Sequence, residues 1–149
     1  VEVGVNTIVP VAMEYSVVKL DKNKAEKKVE RWQKIAEEAA KQSKRDIVPE
    51  VTSVMDLDEV LHSFAGSAKL MAYEGETKSG LKKVLSAIQN REEILLIIGP
   101  EGGIAEKELK AAELAGAQTF SLGNRILRTE TAGLVSATAI LYETGDLGG

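Results

Sequence analysis

Apolar positions recur along the chain at two spacings, and the alternation between them predicts the architecture. Over residues 22–42, Ala25, Val29, Trp32, Ile35, Ala36, Ala39 and Ala40 fall three and four apart, the signature of an amphipathic helix with Trp32 on its packing stripe. Residues 94–98 form a continuous apolar run that reads as a buried, central strand. Residues 5–9 predict a short buried strand stopped by Pro10, and residues 1–4 read as a helix end capped by Gly4. Pro49 within residues 47–51 predicts an edge strand or an extended connection. Residues 56–64 predict a shorter helix with Asp56 as its cap and Leu57, Val60, Leu61 and Phe64 inward. A strand over 69–73, broken by Glu74, Gly75 and Glu76, precedes a helix over 80–89 with Leu81, Val84, Leu85 and Ile88 apolar. Asn90, Arg91 and Glu92 lead into Ile94. A helix over 106–115, with Leu109, Ala112 and Leu114 apolar and Gly116 at its end, is followed by a strand over 118–122. The last helix runs from about 129 to 142 and carries the small residues Ala132, Gly133, Ser136, Ala137 and Ala139, which allow close approach of another backbone. Residues 145–149 read as a frayed tail. Strands alternating with helices of this length give the βαβ pattern of a parallel α/β sheet.

Composition narrows the chemistry. At 149 residues and 44% hydrophobic, the chain suits one globular domain. With no cysteine there is no disulfide, thiolate metal site or cysteine nucleophile. His62 is the single histidine, on the polar side of its helix, and reads as a surface residue. Apolar runs fall well short of a membrane span, and a cytoplasmic protein is expected. A net charge of −4 disfavours strong non-specific nucleic-acid binding, although residues 19–45 hold ten Lys and Arg. Lys24, Lys27, Lys28, Arg31, Lys34, Lys41, Lys44 and Arg45 either form one basic surface or pair with Glu26, Glu30, Glu37 and Glu38 as a solvated helix face.

Two loops that follow consecutive strands carry the candidate chemistry, because ligands of parallel sheets sit outside the carboxyl ends of strands. In the first, Gly99, Gly102 and Gly103 free the backbone and Pro100 stiffens the turn. It is neither a dinucleotide fingerprint nor a Walker loop, and Glu101 would repel a phosphate, so a cationic ligand is better matched. In the second, Arg125 and Arg128 stand beside Thr129, Glu130 and Thr131. One interpretation is a helix cap by Thr129 or Thr131, with Glu130 in the first turn. The other is a pair of rigid donors for phosphate or for carbonyl oxygens gaining negative charge.

Residues 98–103 and the run Leu122, Gly123, Asn124, Arg125, Ile126, Leu127, Arg128, Thr129, Glu130, Thr131, Ala132 resemble the signature of the ribosomal RNA small-subunit methyltransferase E family. That family belongs to the SPOUT superfamily of knotted methyltransferases. The likeness extends to Glu14, Tyr15, Ser16 and Val17, to Arg31 and Trp32, to residues 38–43, Arg45, Pro49 and Tyr73 with Glu74, so it covers essentially the whole chain. It implies an α/β sheet whose C-terminal part is threaded into a deep trefoil knot, which general topology rules do not anticipate. It implies an S-adenosylmethionine-dependent enzyme acting on N3 of a uridine in 16S ribosomal RNA of the small subunit, and a homodimer packed through its knotted regions. The cofactor would lie against Met71, Ala72, Tyr73 and Glu74, against Gly99, Pro100, Glu101, Gly102 and Gly103, and against Ser121, Leu122, Gly123, Asn124, Arg125, Ile126, Leu127 and Thr129. Arg125 and Arg128 would stabilise charge developing on uracil, with Glu101 or Glu74 as proton acceptor or cofactor-orienting group. The resemblance also places a PUA-type RNA-binding barrel and the first strand of the methyltransferase domain upstream of Val1. Ile104 and Ala105 stand where a polar helix cap is expected, which leaves that helix start to the Gly102–Gly103 loop. Two other readings remain: a knotted enzyme methylating a ribose 2′-hydroxyl, and a non-catalytic module binding an anion or a protein through its glycine loops.

Overall fold

The computed structural model describes residues 1–89 and 91–148. Asn90, read as part of a connector, and Gly149, read as tail, lie outside the described residues. The elements run β1 (Thr7–Ile8), β2 (Val11–Ala12), α1 (Lys22–Gln42), β3 (Glu50–Val51), β4 (Met55–Asp56), α2 (Leu57–Ser63) and β5 (Ala68–Ala72). They continue with α3 (Leu81–Ala87), β6 (Ile94–Ile98), α4 (Glu106–Leu114), β7 (Gln118–Phe120) and α5 (Thr129–Thr144). Among the described residues every strand pairing is parallel: β1 with β3, β2 with β4, and a three-stranded sheet in the order β6-β5-β7. The α/β class is as expected, with helices on both faces of the sheet.

β5, not β6, is the central strand. Its Leu70 and Met71 are both wholly buried on opposite faces, as alternation along a strand requires. Met71 packs with Ile97, Met13, Leu57 and Leu61, together with Ala112 and Ala117 near α4; Leu70 packs with Leu81, Val84, Leu85, Ile88, Phe120 and Ile140 from α3, β7 and α5. A strand covered on both faces reads apolar at successive positions. β6 carries the more continuously apolar sequence, β5 being interrupted by the buried Lys69, yet β6 lies at the edge of this sheet, where only Ile97 is buried and its four neighbours are half-buried.

The helices show why their residues chose these boundaries. Asp21 caps α1, its carboxylate accepting from the Lys24 N–H (2.9 Å). Ala36 and Ala40 are buried, and the Gln33 side chain bonds both Pro49 and Val51 at β3 (3.0 and 2.8 Å). Ile35 is not inward as its spacing suggested; it is 53% exposed. Trp32 is half-buried with Lys28 Nζ 6.0 Å from its ring centroid. Of the four acids expected to pair along α1, Glu38 forms an ion pair, with Lys41, among the described residues. α2 opens on a full capping box: Asp56 accepts from Glu59 N–H and Glu59 from Asp56 N–H, both 2.8 Å. Leu114 of α4 is 90% exposed rather than inward, because the helix buries Glu108 and Ala112 instead.

The N-terminal segment differs most from expectation. Residues 1–4 close as a single turn, Gly4 N–H donating to the Val1 carbonyl with Gly4 at φ +121°. β1 covers two exposed residues, since its one partner among the described residues is the short β3. Arg45 fastens this segment, donating to the carbonyls of Val1, Gly4 and Val5 and to Asn6 Oδ1 at 2.7–3.2 Å.

Candidate functional site

The register of the sheet brings three loops to one line. Ala72 pairs with Ile98 on one side and Phe120 on the other, so β5, β6 and β7 end side by side. The loops that leave them, with the start of α5, enclose a cavity of about 830 Å³. This lies in the usual size range of small-molecule sites.

The loop after β5 is held by Glu76. Its carboxylate accepts from the Lys78 N–H (2.6 Å), the Ser79 N–H (3.1 Å) and the Thr119 hydroxyl (2.8 Å). The Lys78 N–H first, then the Thr119 hydroxyl, hold the Glu76 pKa below the usual glutamate range. Ser121 N–H donates to the Ser79 carbonyl (2.8 Å), tying the loop after β7 to the same segment. In that loop Ser121 Oγ accepts from the Gly123 N–H (3.1 Å), and Gly123 takes φ +105°. The loop after β6 turns through Gly103 at φ +86°, with its N–H on the Pro100 carbonyl (2.9 Å).

Of the residues singled out in the sequence, Ala72, Tyr73, Glu74, Gly99, Pro100, Gly103, Ser121, Leu122, Gly123, Asn124, Arg125, Ile126, Leu127 and Thr129 line this cavity. Met71 does not, because its side chain is committed to the core. Glu101, Gly102 and Arg128 do not line it either; all three are exposed. Arg128 occupies the cap position of α5, and neither Thr129 nor Thr131 caps that helix with its side chain. Among the described residues, the guanidinium groups of Arg125 and Arg128 make no hydrogen bond or ion pair. α4 likewise starts without a side-chain cap at Ala105, its first turn carrying Glu106 and Glu108 toward the helix's positive end.

The structure adds Gly75, Glu76, Thr77, Ile98, Ile104, Phe120 and Ala132 to the lining. Residues 75–77 follow the carboxyl end of β5 as the glycine loops follow β6 and β7, so the strand-end rule reaches them. The apolar members form a wall of strand ends, while Glu74, Glu76 and Arg125 bring charge of both signs.

A family model described as RNA methyltransferase domain matches residues 1–141. The chain belongs to the RNA methyltransferase domain family. Among its relatives, ribosomal RNA small subunit methyltransferase E of Bacillus subtilis is 41% identical over 148 residues, 96% of this chain and 58% of that protein. The protein of the same name from Mesomycoplasma hyopneumoniae is 34% identical over 144 residues, 96% of this chain and 61% of the relative. These relatives bear out the resemblance carried by the glycine and arginine loops. The ribosomal RNA small subunit methyltransferase E of Neisseria gonorrhoeae, solved bound to S-adenosyl methionine, superposes with TM-score 0.82 at 35% identity over 95% of this chain and 56% of that one. A putative methyltransferase of Legionella pneumophila, in complex with the same cofactor, gives TM-score 0.85 at 32% identity, covering 95% and 57%. The chain thus spans a little over half the length of the relatives it matches. No helix among the described residues is long and apolar enough to cross a membrane.

Proposed function

We propose that this chain is the methyltransferase domain of an S-adenosylmethionine-dependent enzyme that methylates N3 of a uridine in 16S ribosomal RNA. One observation carries the proposal: three strand-end loops, in a chain of the RNA methyltransferase domain family, converge on one cavity that carries Glu74 and an unpaired Arg125. The relatives' names and bound cofactors support it. The site fits S-adenosylmethionine chemically. Ile98, Ile104 and Leu122 offer apolar surface to an adenosine, Glu74 complements a sulfonium or ammonium, and Arg125 a carboxylate. When bound, the cofactor supplies an electrophilic methyl group.

The chain's own residues have two tasks. N3 of uracil must lose its proton, and the negative charge that develops spreads to O2 and O4. That Glu74 is exposed and lines the cavity, which Glu101 does not, supports reading it as the proton acceptor; Glu76 is already occupied by three donors. Arg125 and Arg128 supply the donors toward the uracil oxygens. In this proposal the loops after β6 and β7 belong to a trefoil knot, and α5 packs against a second copy in a cytoplasmic homodimer. The exposed Leu134, Val135 and Tyr142 of α5, with Ile126 of the adjoining loop, give that contact its apolar surface.

Methyl transfer to small ribosomal subunits, followed by digestion of the RNA to nucleosides, tests the chemistry. A base-methylated 3-methyluridine is expected; a ribose-methylated nucleoside would replace this proposal with 2′-hydroxyl methylation.

A further inference from the structure

The loop between β2 and α1 is clamped at its base and bare at its tip. Met13, just past β2, sits in the core beside Met71 and Ile97. Ser16 folds back on it, its N–H donating to the Met13 carbonyl and its Oγ accepting from the Met13 N–H, both 3.1 Å. The Glu14 N–H donates to Oε1 of Glu108 on α4 (3.0 Å), and the Glu14 carboxylate pairs with Lys107. The loop also lies directly on the turn after β6: a Cβ added to Gly102 would stand 2.6 Å from the Tyr15 carbonyl oxygen. Only glycine allows that approach. Because one loop leaves β2 and the other leaves β6, their contact sets both at the end of the molecule where the cavity opens.

From this fixed base Tyr15, Val17 and Val18 stand 51%, 75% and 60% exposed. Lys19 and Lys22 follow, both exposed and neither within ion-pair distance of an acid among the described residues. Such an arrangement needs a partner to explain it, since the loop spends four anchoring interactions on presenting an aromatic ring to solvent. Protein interfaces are depleted in lysine, whereas single-stranded RNA is met by aromatic faces for its bases and lysines for its phosphates. A base that is methylated on its pairing edge must also be unpaired and drawn from its stack, which leaves a neighbouring base face uncovered.

We propose that Tyr15 is the stacking surface for a base flanking the target uridine, with Lys19 and Lys22 meeting the phosphates beside it. This rests on the RNA methyltransferase function proposed above and adds where the substrate strand lies.

The test uses the full-length protein and small ribosomal subunits. Tyr15→Ala is expected to raise KM for the subunit about tenfold, a typical loss for one base–aromatic stack, with kcat and S-adenosylmethionine affinity within about twofold. Tyr15→Phe and Tyr15→Trp are expected to restore KM, which a merely structural role of the phenol would not predict. With p-benzoylphenylalanine at position 15, irradiation is expected to yield an adduct with ribosomal RNA. An unchanged KM in Tyr15→Ala overturns the assignment, as does an adduct with a ribosomal protein alone, which would make the tip a protein contact. A wild-type enzyme that binds S-adenosylmethionine yet methylates no RNA would instead remove the underlying function, and the stacking role with it.

Discussion

Arg125 and Arg128 differ in place, and that difference separates their effects. Arg125 lines the cavity, whereas Arg128 stands outside the lining at the cap of α5. Arg128→Ala is expected to lower kcat by about 10²–10³, the usual loss of one donor to developing negative charge, while S-adenosylmethionine affinity stays unchanged. Arg125→Ala is expected to lose both turnover and affinity, read by steady-state kinetics beside calorimetry; normal turnover in Arg128→Ala would remove that residue from the mechanism. Glu76 carries a pH signature. Its folded-state pKa is depressed by the Lys78 N–H and the Thr119 hydroxyl, so its stabilising contribution is complete above the unfolded value and disappears as pH falls through the folded one. Thermal unfolding below about pH 4.3 should therefore weaken the wild type more than Glu76→Gln, which has no such carboxylate to protonate. Arg125 was legible in the sequence because a particular eleven-residue run surrounds it. Glu76 was not, because a carboxylate that ties a loop to the hydroxyl of Thr119, on a strand adjacent in the sheet but distant in sequence, leaves no motif.

Local elements announced themselves wherever their own residues decided them. α1 and β6 begin and end where their apolar spacing said, and Asp56 caps α2 as its position before Leu57 required. Asp56→Ala is expected to cost about 1 kcal/mol of stability, measured by urea unfolding, since it removes the acceptor of the Glu59 N–H while the bond from the backbone N–H of residue 56 to the Glu59 carboxylate remains. Neighbour relations stayed hidden. β6 is the more apolar run and β5 is interrupted by Lys69, yet β5 is central and β6 is an edge, because sheet order is set by how βαβ units stack and not by strand composition. The same limit explains Leu114, which keeps the helical spacing but faces away from the sheet, and Ile35 on α1. It also explains Met71: a residue at the end of an apolar strand belongs to the loop or to the core according to a register that only pairing fixes.

At the scale of the whole molecule, the fold gathers loops from β2, β5, β6 and β7 at one end and leaves α5 with exposed apolar residues. If α5 packs on a second copy, Leu134→Glu should shift the protein from dimer to monomer in sedimentation equilibrium, because a charge would be buried unpaired in the contact. A wild-type monomer at micromolar concentration would count against the dimer. In the proposed enzyme, the net charge of −4 on this chain leaves RNA to be met through a local surface and not through bulk attraction. The most direct measurement is a calorimetric titration of the protein with S-adenosylmethionine and, separately, with adenosine triphosphate. One-site binding of S-adenosylmethionine with no heat from the triphosphate is expected, because Glu74 and Glu76 favour a cation and repel a polyphosphate at this cavity. Binding of the triphosphate in preference to S-adenosylmethionine, or of neither by the full-length protein, would contradict a methyl-donor site formed by these three loops.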